Sequence, residues 1–250
     1  MFDTSVIYEG DCIEVMKTFP DKCVDLIFAD PPYNINVKNT LQRPEGGVYN
    51  GIHDEWDSWT PGEYYIFTEN WLRASRRILK DTGALWVMGT YHNIHIIGYL
   101  LLSLGWFILN DVTWVKSNPT PQFRGVRFCN SIEMLIWCVK YKGCGYTFNY
   151  QDMKEYNGGK QMRADWTIPI CQGKERIKGA DGKKLHSTQK PEKLLERVIL
   201  STTKPGDIIL DPFFGTGTIG AVAERLGRKW IGIEKESLYI DAAIERISNV

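Results

Sequence analysis

The residues best suited to chemistry form the tetrapeptide Asp-Pro-Pro-Tyr that follows an early apolar run. The run, Val24 to Ala29, is partly β-branched and predicts a strand buried on both faces. The strand should end at Asp30, because Pro31 and Pro32 lack an N–H and keep the chain extended. The Asp30 carboxylate and the Pro31 carbonyl then lie beside the Tyr33 ring. These groups suit a planar, amine-bearing base, whose two N–H hydrogens the acceptors bind while the ring stacks on it.

A glycine loop after a second predicted strand is the other candidate site. The strand, 207–211, is followed by Pro-Phe-Phe-Gly-Thr-Gly-Thr and a predicted helix at about 219–226. The glycines, Gly215 and Gly217, let the backbone approach a ligand closely. The loop is neither G-x-G-x-x-G nor a P-loop, so we expect a nucleoside with a charged amino-acid tail. Glu234 ends the next strand, 17 residues beyond Gly217, where an acid usually binds ribose hydroxyls.

The elements that would position these residues indicate an α/β sheet. Strands are predicted at 6–8, 84–88, 108–115 and 132–139, and helices at 61–79, 93–103 and 191–200. We expect Asp81-Thr82-Gly83 to close the helix at 61–79. The last two strands lack an intervening helix, so we expect an antiparallel pair at the sheet edge. Asp11, after the first strand, is either a helix cap or a ligand contact.

Composition limits the class of protein. The chain has 250 residues, 43% hydrophobic and 24% charged, which suits one α/β domain. The longest apolar stretch, 94–109, is broken by Gly98, Ser103 and Gly105, so it favours neither export nor a membrane span. The six cysteines include no C-x-x-C pair, which argues against a metal site. We therefore expect a cytoplasmic protein without a metal.

Charge is distributed unevenly, although the net charge is zero. Residues 1–60 hold 4 basic and 11 acidic side chains, whereas residues 116–197 hold 16 basic and 8 acidic ones. Basic residues with interleaved aromatics suit phosphate contact and base stacking. We expect a target-recognition region at about 116–185 and a mobile loop at 34–60. The candidate DNA contacts are Arg43, Lys116, Asn118, Arg124, Arg127 and Arg163.

The tetrapeptide and the glycine loop together resemble the signature pair of the amino-methylating DNA methyltransferases, [DNS]-P-P-[YF] and F-x-G-x-G. The order of the two motifs is similar to the β group of that family. Stretches such as 109–114, 117–119 and 165–169 look closest to the cell-cycle-regulated adenine methyltransferases of the GANTC type. Those relatives carry an additional C-terminal DNA-binding domain, whereas this sequence ends at Val250. Ser187 stands where the family's H-P-T-Q-K-P segment has proline.

The resemblance implies a single catalytic domain, 1–250, with the Rossmann-like fold of S-adenosylmethionine-dependent methyltransferases. Its sheet would be mixed and mainly parallel, with helices on both faces and an irregular DNA-recognition insert. The implied catalytic residues are Asp30, Pro31, Pro32 and Tyr33. The implied S-adenosylmethionine contacts are Asp11, Cys12, Asp30, His186, Thr188, Gln189, Lys190, Asp211, Phe213, Phe214, Gly215, Thr216, Gly217, Thr218 and Glu234.

The implied reaction is methyl transfer to the N6 amine of a flipped adenine in double-stranded DNA. Three alternatives stay open: an N4-cytosine methyltransferase, an inactive nucleotide-binding regulator, and a dinucleotide-dependent dehydrogenase. Asp30 favours adenine, because relatives that act on cytosine more often carry serine there. A homodimer and a partner restriction nuclease also stay open.

Overall fold

In the computed structural model, residues 2–35, 41–42, 48–49, 59–122 and 125–250 are described. The strands in this part of the chain are β1 Val6–Glu9, β2 Val24–Ala29, β3 Leu41–Gln42, β4 Val48–Tyr49, β5 Leu79–Gly89, β6 Phe107–Lys116, β7 Ile132–Val139, β8 Asp165–Ile168, β9 Ile208–Asp211 and β10 Lys229–Glu234. The α-helices are α1 Cys12–Thr18, α2 Pro61–Ile78, α3 Ile94–Ser103, α4 Tyr150–Tyr156, α5 Glu192–Thr202, α6 Thr218–Arg225 and α7 Ser237–Ser248.

Eight of these strands form one sheet in the order β1-β10-β9-β2-β5-β7-β6-β8. The first five run parallel, β7 runs antiparallel to both β5 and β6, and β8 runs parallel to β6. The expected mixed, mainly parallel sheet is therefore confirmed. Because the late strands β9 and β10 lie between the early strands β1 and β2, residues from both ends of the sequence meet at one edge of the sheet.

Helices cover both faces of the sheet, as the alternation of side chains along the central strands requires. In β2, Ile27 packs on one face among residues of α1, α2 and α3. Its neighbours Leu26 and Phe28 pack on the other face among residues of α5, α6 and α7. The strand is buried on both faces, as its apolar run predicts. None of the described helices combines the length and apolar character needed to cross a membrane.

The expected end of the second helix is wrong. Helix α2 ends at Ile78, and the chain enters β5 at once, so Asp81, Thr82 and Gly83 belong to a strand. Gly83 serves the sheet instead of the helix end: a Cβ there would lie 2.8 Å from the Asp25 carbonyl oxygen of β2. The pairing of β2 with β5 shifts register at this point, which brings the two backbones close.

The expected sheet edge is also corrected. The antiparallel β6–β7 pair exists, but β8 lies outside it, and this four-residue strand was not predicted. Residues 140–185, which lie in the insert expected to be irregular, contain α4, β8 and a 3₁₀ turn at Gly173–Glu175. Helix α7 is also not predicted from the sequence. Most of the loop at 34–60 lies outside the described residues.

Candidate active site

A pocket of about 290 Å³ lies at the carboxyl ends of the parallel strands. Its walls are built where β1, β2, β9 and β10 end, which is where ligands bind in open α/β sheets. Eleven sequence-predicted site residues line it: Asp11, Cys12, Asp30, Pro31, Pro32, Tyr33, His186, Thr188, Phe213, Gly215 and Glu234. The structure thus brings the tetrapeptide and the glycine loop, 180 residues apart, to one cavity.

The Asp30 carboxylate is held on both oxygens. Lys190 Nζ lies 2.6 Å from Oδ2, and the Tyr33 hydroxyl lies 2.8 Å from Oδ1, within donating distance. Tyr33 is 6% exposed, and its hydroxyl also lies 3.0 Å from Glu133 Oε2. The carbonyl of Pro32 accepts a hydrogen bond from the Tyr64 hydroxyl at 2.8 Å, which fixes the extended turn. The tetrapeptide is therefore a rigid, hydrogen-bonded unit at the rim of the pocket.

Burial and charge set the protonation of these groups. Burial, together with Asp30 and Glu133, raises the pKa of the Tyr33 hydroxyl well above its usual value, so it is a neutral donor. Burial alone lowers the pKa of Lys190, but the attraction of Asp30 and Glu133 outweighs burial and raises it. Lys190 Nζ lies 5.1 Å from the Tyr33 ring centroid, so the ammonium group also covers one side of that ring.

Glu234 organises another part of the pocket wall. Its Oε2 accepts from the Gly215 N–H at 2.7 Å, and its Oε1 accepts from the Lys235 and Glu236 N–H groups at 2.8 and 3.0 Å. Burial raises the pKa of Glu234, although these three backbone bonds oppose the rise. The carboxylate thus holds the glycine loop and lines the pocket at the same time.

Three further pocket residues combine structural and lining roles. Asp11 caps α1, because its Oδ1 accepts a hydrogen bond from the Ile13 N–H at 2.9 Å. Asp11 also lines the pocket, so it is both a helix cap and a pocket residue. Burial raises the pKa of Cys12 to about 12, which makes it an inert thiol. Burial lowers the pKa of His186 to about 4, so its ring is neutral near pH 7.

Seven predicted cofactor residues are not among those that line the pocket, and their cofactor contact stays a prediction: Gln189, Lys190, Asp211, Phe214, Thr216, Gly217 and Thr218. Asp211 is buried and accepts from the Phe213 N–H at 2.8 Å, which shapes the turn after β9. Gly217 has φ +70°, and a Cβ there would lie 2.7 Å from the Cβ of Ala243, so this glycine admits α7.

Several pocket residues were not predicted. Trp59 and Phe67, whose ring centroids lie 5.0 Å apart, extend the aromatic wall from the predicted Phe213, which lies 6.0 Å from Phe67. Tyr239 of α7 packs edge-on against His186 at 4.8 Å. Trp59, Phe67 and Tyr239 lie outside both motifs in the sequence, so spacing alone gives no signal for them.

The predicted DNA contacts divide into four groups. Lys116 is largely buried and pairs with Glu133 at 2.7 Å, and its DNA contact stays a prediction. Asn118 ties two segments together through Gln172 and the Ile170 N–H, both at 2.8 Å. The exposed residues are Arg127, which donates to the Tyr91 hydroxyl at 2.7 Å, and Arg163, which pairs with Asp165. Arg43 and Arg124 lie outside the described residues.

The fold and the pocket define a protein class that the comparisons identify. A family model for N6 and N4 methyltransferases, described as DNA methylase, matches residues 24–245. The chain therefore belongs to this family of DNA methylases.

Individual relatives support the same class. The chain is 53% identical over 247 residues to the type II methyltransferase M.HinfI of Haemophilus influenzae, covering 98% of this chain and 69% of that protein. It is 38% identical over 248 residues to the type II methyltransferase M2.LlaDCHI of Lactococcus lactis subsp. cremoris, covering 98% and 90%.

Solved structures extend the comparison. The M1.HpyAVI–SAM complex matches with a TM-score of 0.71 and 28% identity, over 96% of this chain and 98% of that one. The cytosine-N4-specific PvuII DNA methyltransferase matches with a TM-score of 0.75 over 98% of this chain and 87% of that one. At 22% identity, this second match indicates a shared fold alone. The expected methyltransferase fold is confirmed.

We predict that S-adenosylmethionine affinity depends on the ionisation of Glu234. The ionised carboxylate is the better acceptor for ribose hydroxyls, so affinity should fall as the pH drops through its raised pKa. Glu234→Gln should weaken binding by roughly 10- to 100-fold at neutral pH, the range for hydrogen bonds to a charged group. Calorimetric titration over about three pH units, from about pH 5 to about pH 8, measures both effects.

Glu9→Gln is the matched control, because the exposed Glu9 lies opposite Glu234 in the pairing of β1 with β10. It should leave the affinity and its pH dependence unchanged. Wild-type affinity in Glu234→Gln, or the same pH dependence in both proteins, would contradict the role given to Glu234.

Proposed function

We propose that this DNA methylase transfers a methyl group from S-adenosylmethionine to the N6 amine of an adenine flipped out of duplex DNA. The observation that carries the proposal is the shared pocket, which both the Asp30 carboxylate and Glu234 line. The reaction requires one cavity with a hydrogen-bond acceptor for the substrate amine and another for the nucleoside of the cofactor. The proposed recognition sequence is GANTC, on the strength of the sequence resemblance.

The pocket residues fit S-adenosylmethionine. Glu234 offers an acceptor for ribose hydroxyls, and the aromatic side chains Trp59, Phe67 and Phe213 offer faces for a purine. The volume of about 290 Å³ lies near the lower end of ligand pockets, roughly 300 to 1,000 Å³. The bound cofactor supplies a methyl group on a sulfonium, which is reactive enough that no covalent enzyme intermediate is needed.

The proposed work of the protein is positioning and electrostatics. The N6 lone pair of adenine is delocalised into the ring, so the amine is a poor nucleophile. Hydrogen bonds from its two hydrogens to Asp30 and the Pro31 carbonyl would favour a more tetrahedral nitrogen aimed at the methyl group. Flipping the base costs a few kcal/mol. Stacking on Tyr33, worth about 1 to 3 kcal/mol, would offset much of that cost.

Adenine is preferred over cytosine because Asp30, rather than serine, begins the tetrapeptide. The two known curated relatives described above are type II methyltransferases, which supports a role beside a restriction nuclease more than a cell-cycle role. The region at about 116–185 is the proposed target-recognition region, because its net charge is positive and Arg127 is exposed in it.

The test is the identity of the product. A duplex with one GANTC site and a duplex of the same composition with the site scrambled are incubated with enzyme and S-adenosylmethionine, digested to nucleosides and analysed by mass spectrometry. We expect N6-methyladenine from the first duplex alone. N4-methylcytosine would refute the base assignment, equal methylation of both duplexes would refute the site, and no methylation of any duplex would refute the function.

Arg127 should contact a DNA phosphate. It is exposed in the segment between β6 and β7, close to the end of the sheet that carries Asp30. Each neutralised phosphate contributes about −0.9 to the slope of log affinity against log salt. Arg127→Gln should therefore make that slope shallower by roughly 0.9 and weaken binding to all duplexes alike. Fluorescence anisotropy over a salt series measures the slope.

Lys229→Gln removes one positive charge at the opposite end of the sheet, because Lys229 begins β10 and Glu234 ends it. Its slope should equal that of the wild type. An unchanged slope for Arg127→Gln, or an equal change for both variants, would place the phosphate contacts elsewhere.

A further inference from the structure

Two side chains of the proposed catalytic tetrapeptide belong to a cluster of five that share ion pairs and hydrogen bonds. This buried charge cluster consists of Asp30, Tyr33, Lys116, Glu133 and Lys190. Glu133 accepts the Lys116 ammonium on Oε1 at 2.7 Å and lies 3.0 Å from the Tyr33 hydroxyl through Oε2. Lys190 Nζ lies 2.6 Å from Asp30 and 4.0 Å from Glu133. These contacts link all five side chains: two carboxylates, two ammonium groups and one phenol.

Glu133 is the member of the cluster that comes from outside every motif. It is the second residue of β7, whose other residues are almost all apolar, and it is 9% exposed. A buried carboxylate is costly unless it is paired, so an acid in such a strand needs a specific partner. Its side chain does not line the pocket, so it acts through the residues it touches.

The Tyr33 hydroxyl connects the two carboxylates. It carries one hydrogen, yet acceptors lie 2.8 Å away on Asp30 and 3.0 Å away on Glu133. When that hydrogen points to Glu133, Asp30 Oδ1 keeps its lone pairs for a substrate amine. When Glu133 is absent, the hydrogen has Asp30 as its remaining acceptor in this pair. The position of one hydrogen thus affects the capacity of Asp30 to bind the amine.

We infer that Glu133 is a positioning residue for methyl transfer: it draws the Tyr33 hydrogen away from Asp30. The inference rests on the proposed function, because it assigns Asp30 as the acceptor for the substrate amine. This positioning role differs from a purely structural role in how Glu133 affects the transfer rate. The effect of Glu133 on transfer must pass through the Tyr33 hydroxyl.

A double-mutant cycle tests that route. Glu133→Gln keeps the shape of the side chain and removes its charge, and Tyr33→Phe removes the hydroxyl while keeping the ring. We expect Glu133→Gln to lower the single-turnover rate of methyl transfer by roughly 10- to 100-fold, as small misplacements in active sites do. S-adenosylmethionine affinity should stay within about twofold of wild type. In the Tyr33→Phe background, the further loss from Glu133→Gln should shrink to less than about threefold.

Glu133→Asp supplies a second variant, because it keeps the charge and withdraws the carboxylate from Tyr33. It should show the same non-additivity with Tyr33→Phe. The matched control is Asp81→Asn, which removes the acid that pairs with the buried Lys140 at 3.3 Å and with Lys22 at 2.6 Å. Asp81 lies near the start of β5, away from the pocket. This control should lower the melting temperature and leave the transfer rate unchanged.

Normal transfer by the folded Glu133 variants would overturn the inference. So would losses that simply add in the Tyr33→Phe background, or a loss of S-adenosylmethionine binding in Glu133→Gln. Product analysis of the wild type is measured first. A wild type that forms no N6-methyladenine fails the proposed function, whereas a competent wild type with additive variants fails this inference alone.

Discussion

The ion pair between Lys190 and Asp30 is the interaction on which the rest of the site depends. Burying either ion alone would cost several kcal/mol, so each is stable there because the other is present. Lys190 Nζ also donates to the Thr188 carbonyl at 3.0 Å. The ion pair thereby joins the segment 186–191 to the end of β2. The part of the pocket wall formed by segment 186–191 is therefore attached to Asp30, the carboxylate that we propose as the acceptor for the substrate amine.

The order of strands explains why so distant residues meet. Strands β9 and β10, from the end of the chain, lie between β1 and β2, from its beginning. In the pairing of β1 with β10, Glu9 lies opposite Glu234, so the turns after both strands open on one side. Glu234 then holds Gly215 by a 2.7 Å hydrogen bond, and the glycine loop follows. A parallel sheet places all these strand ends at the same edge, which is why one pocket collects them.

The sequence predicts those parts of the fold that depend on local rules. The run at 24–29 predicts β2, the proline pair predicts its end, and the glycine loop predicts the turn between β9 and α6. It does not predict β8, because four residues with alternating burial give too short a pattern. The predicted end of α2 is wrong because Gly83 resembles a helix terminator, whereas it permits a close backbone approach inside the sheet.

The candidate site follows the same division. The motifs identify Asp30, Tyr33 and Glu234. Glu133 lies 100 residues from Tyr33 in sequence, and no local pattern links these two residues. Its one signal is an acid inside an apolar strand. Gly217 shows the opposite case: its positive φ is a local property, yet the lack of room for a Cβ beside α7 is a tertiary constraint that spacing does not reveal.

The most direct test of the central claim is the single-turnover rate of methyl transfer by Asp30→Ala on an adenine-containing duplex. The variant removes the acceptor that matters most while the amine becomes nucleophilic, a loss expected in the transition state more than in the bound complex. We expect the rate to fall by about 100- to 1,000-fold, the range for one removed transition-state hydrogen bond. DNA affinity should stay near wild type. A transfer rate near that of the wild type would contradict the account.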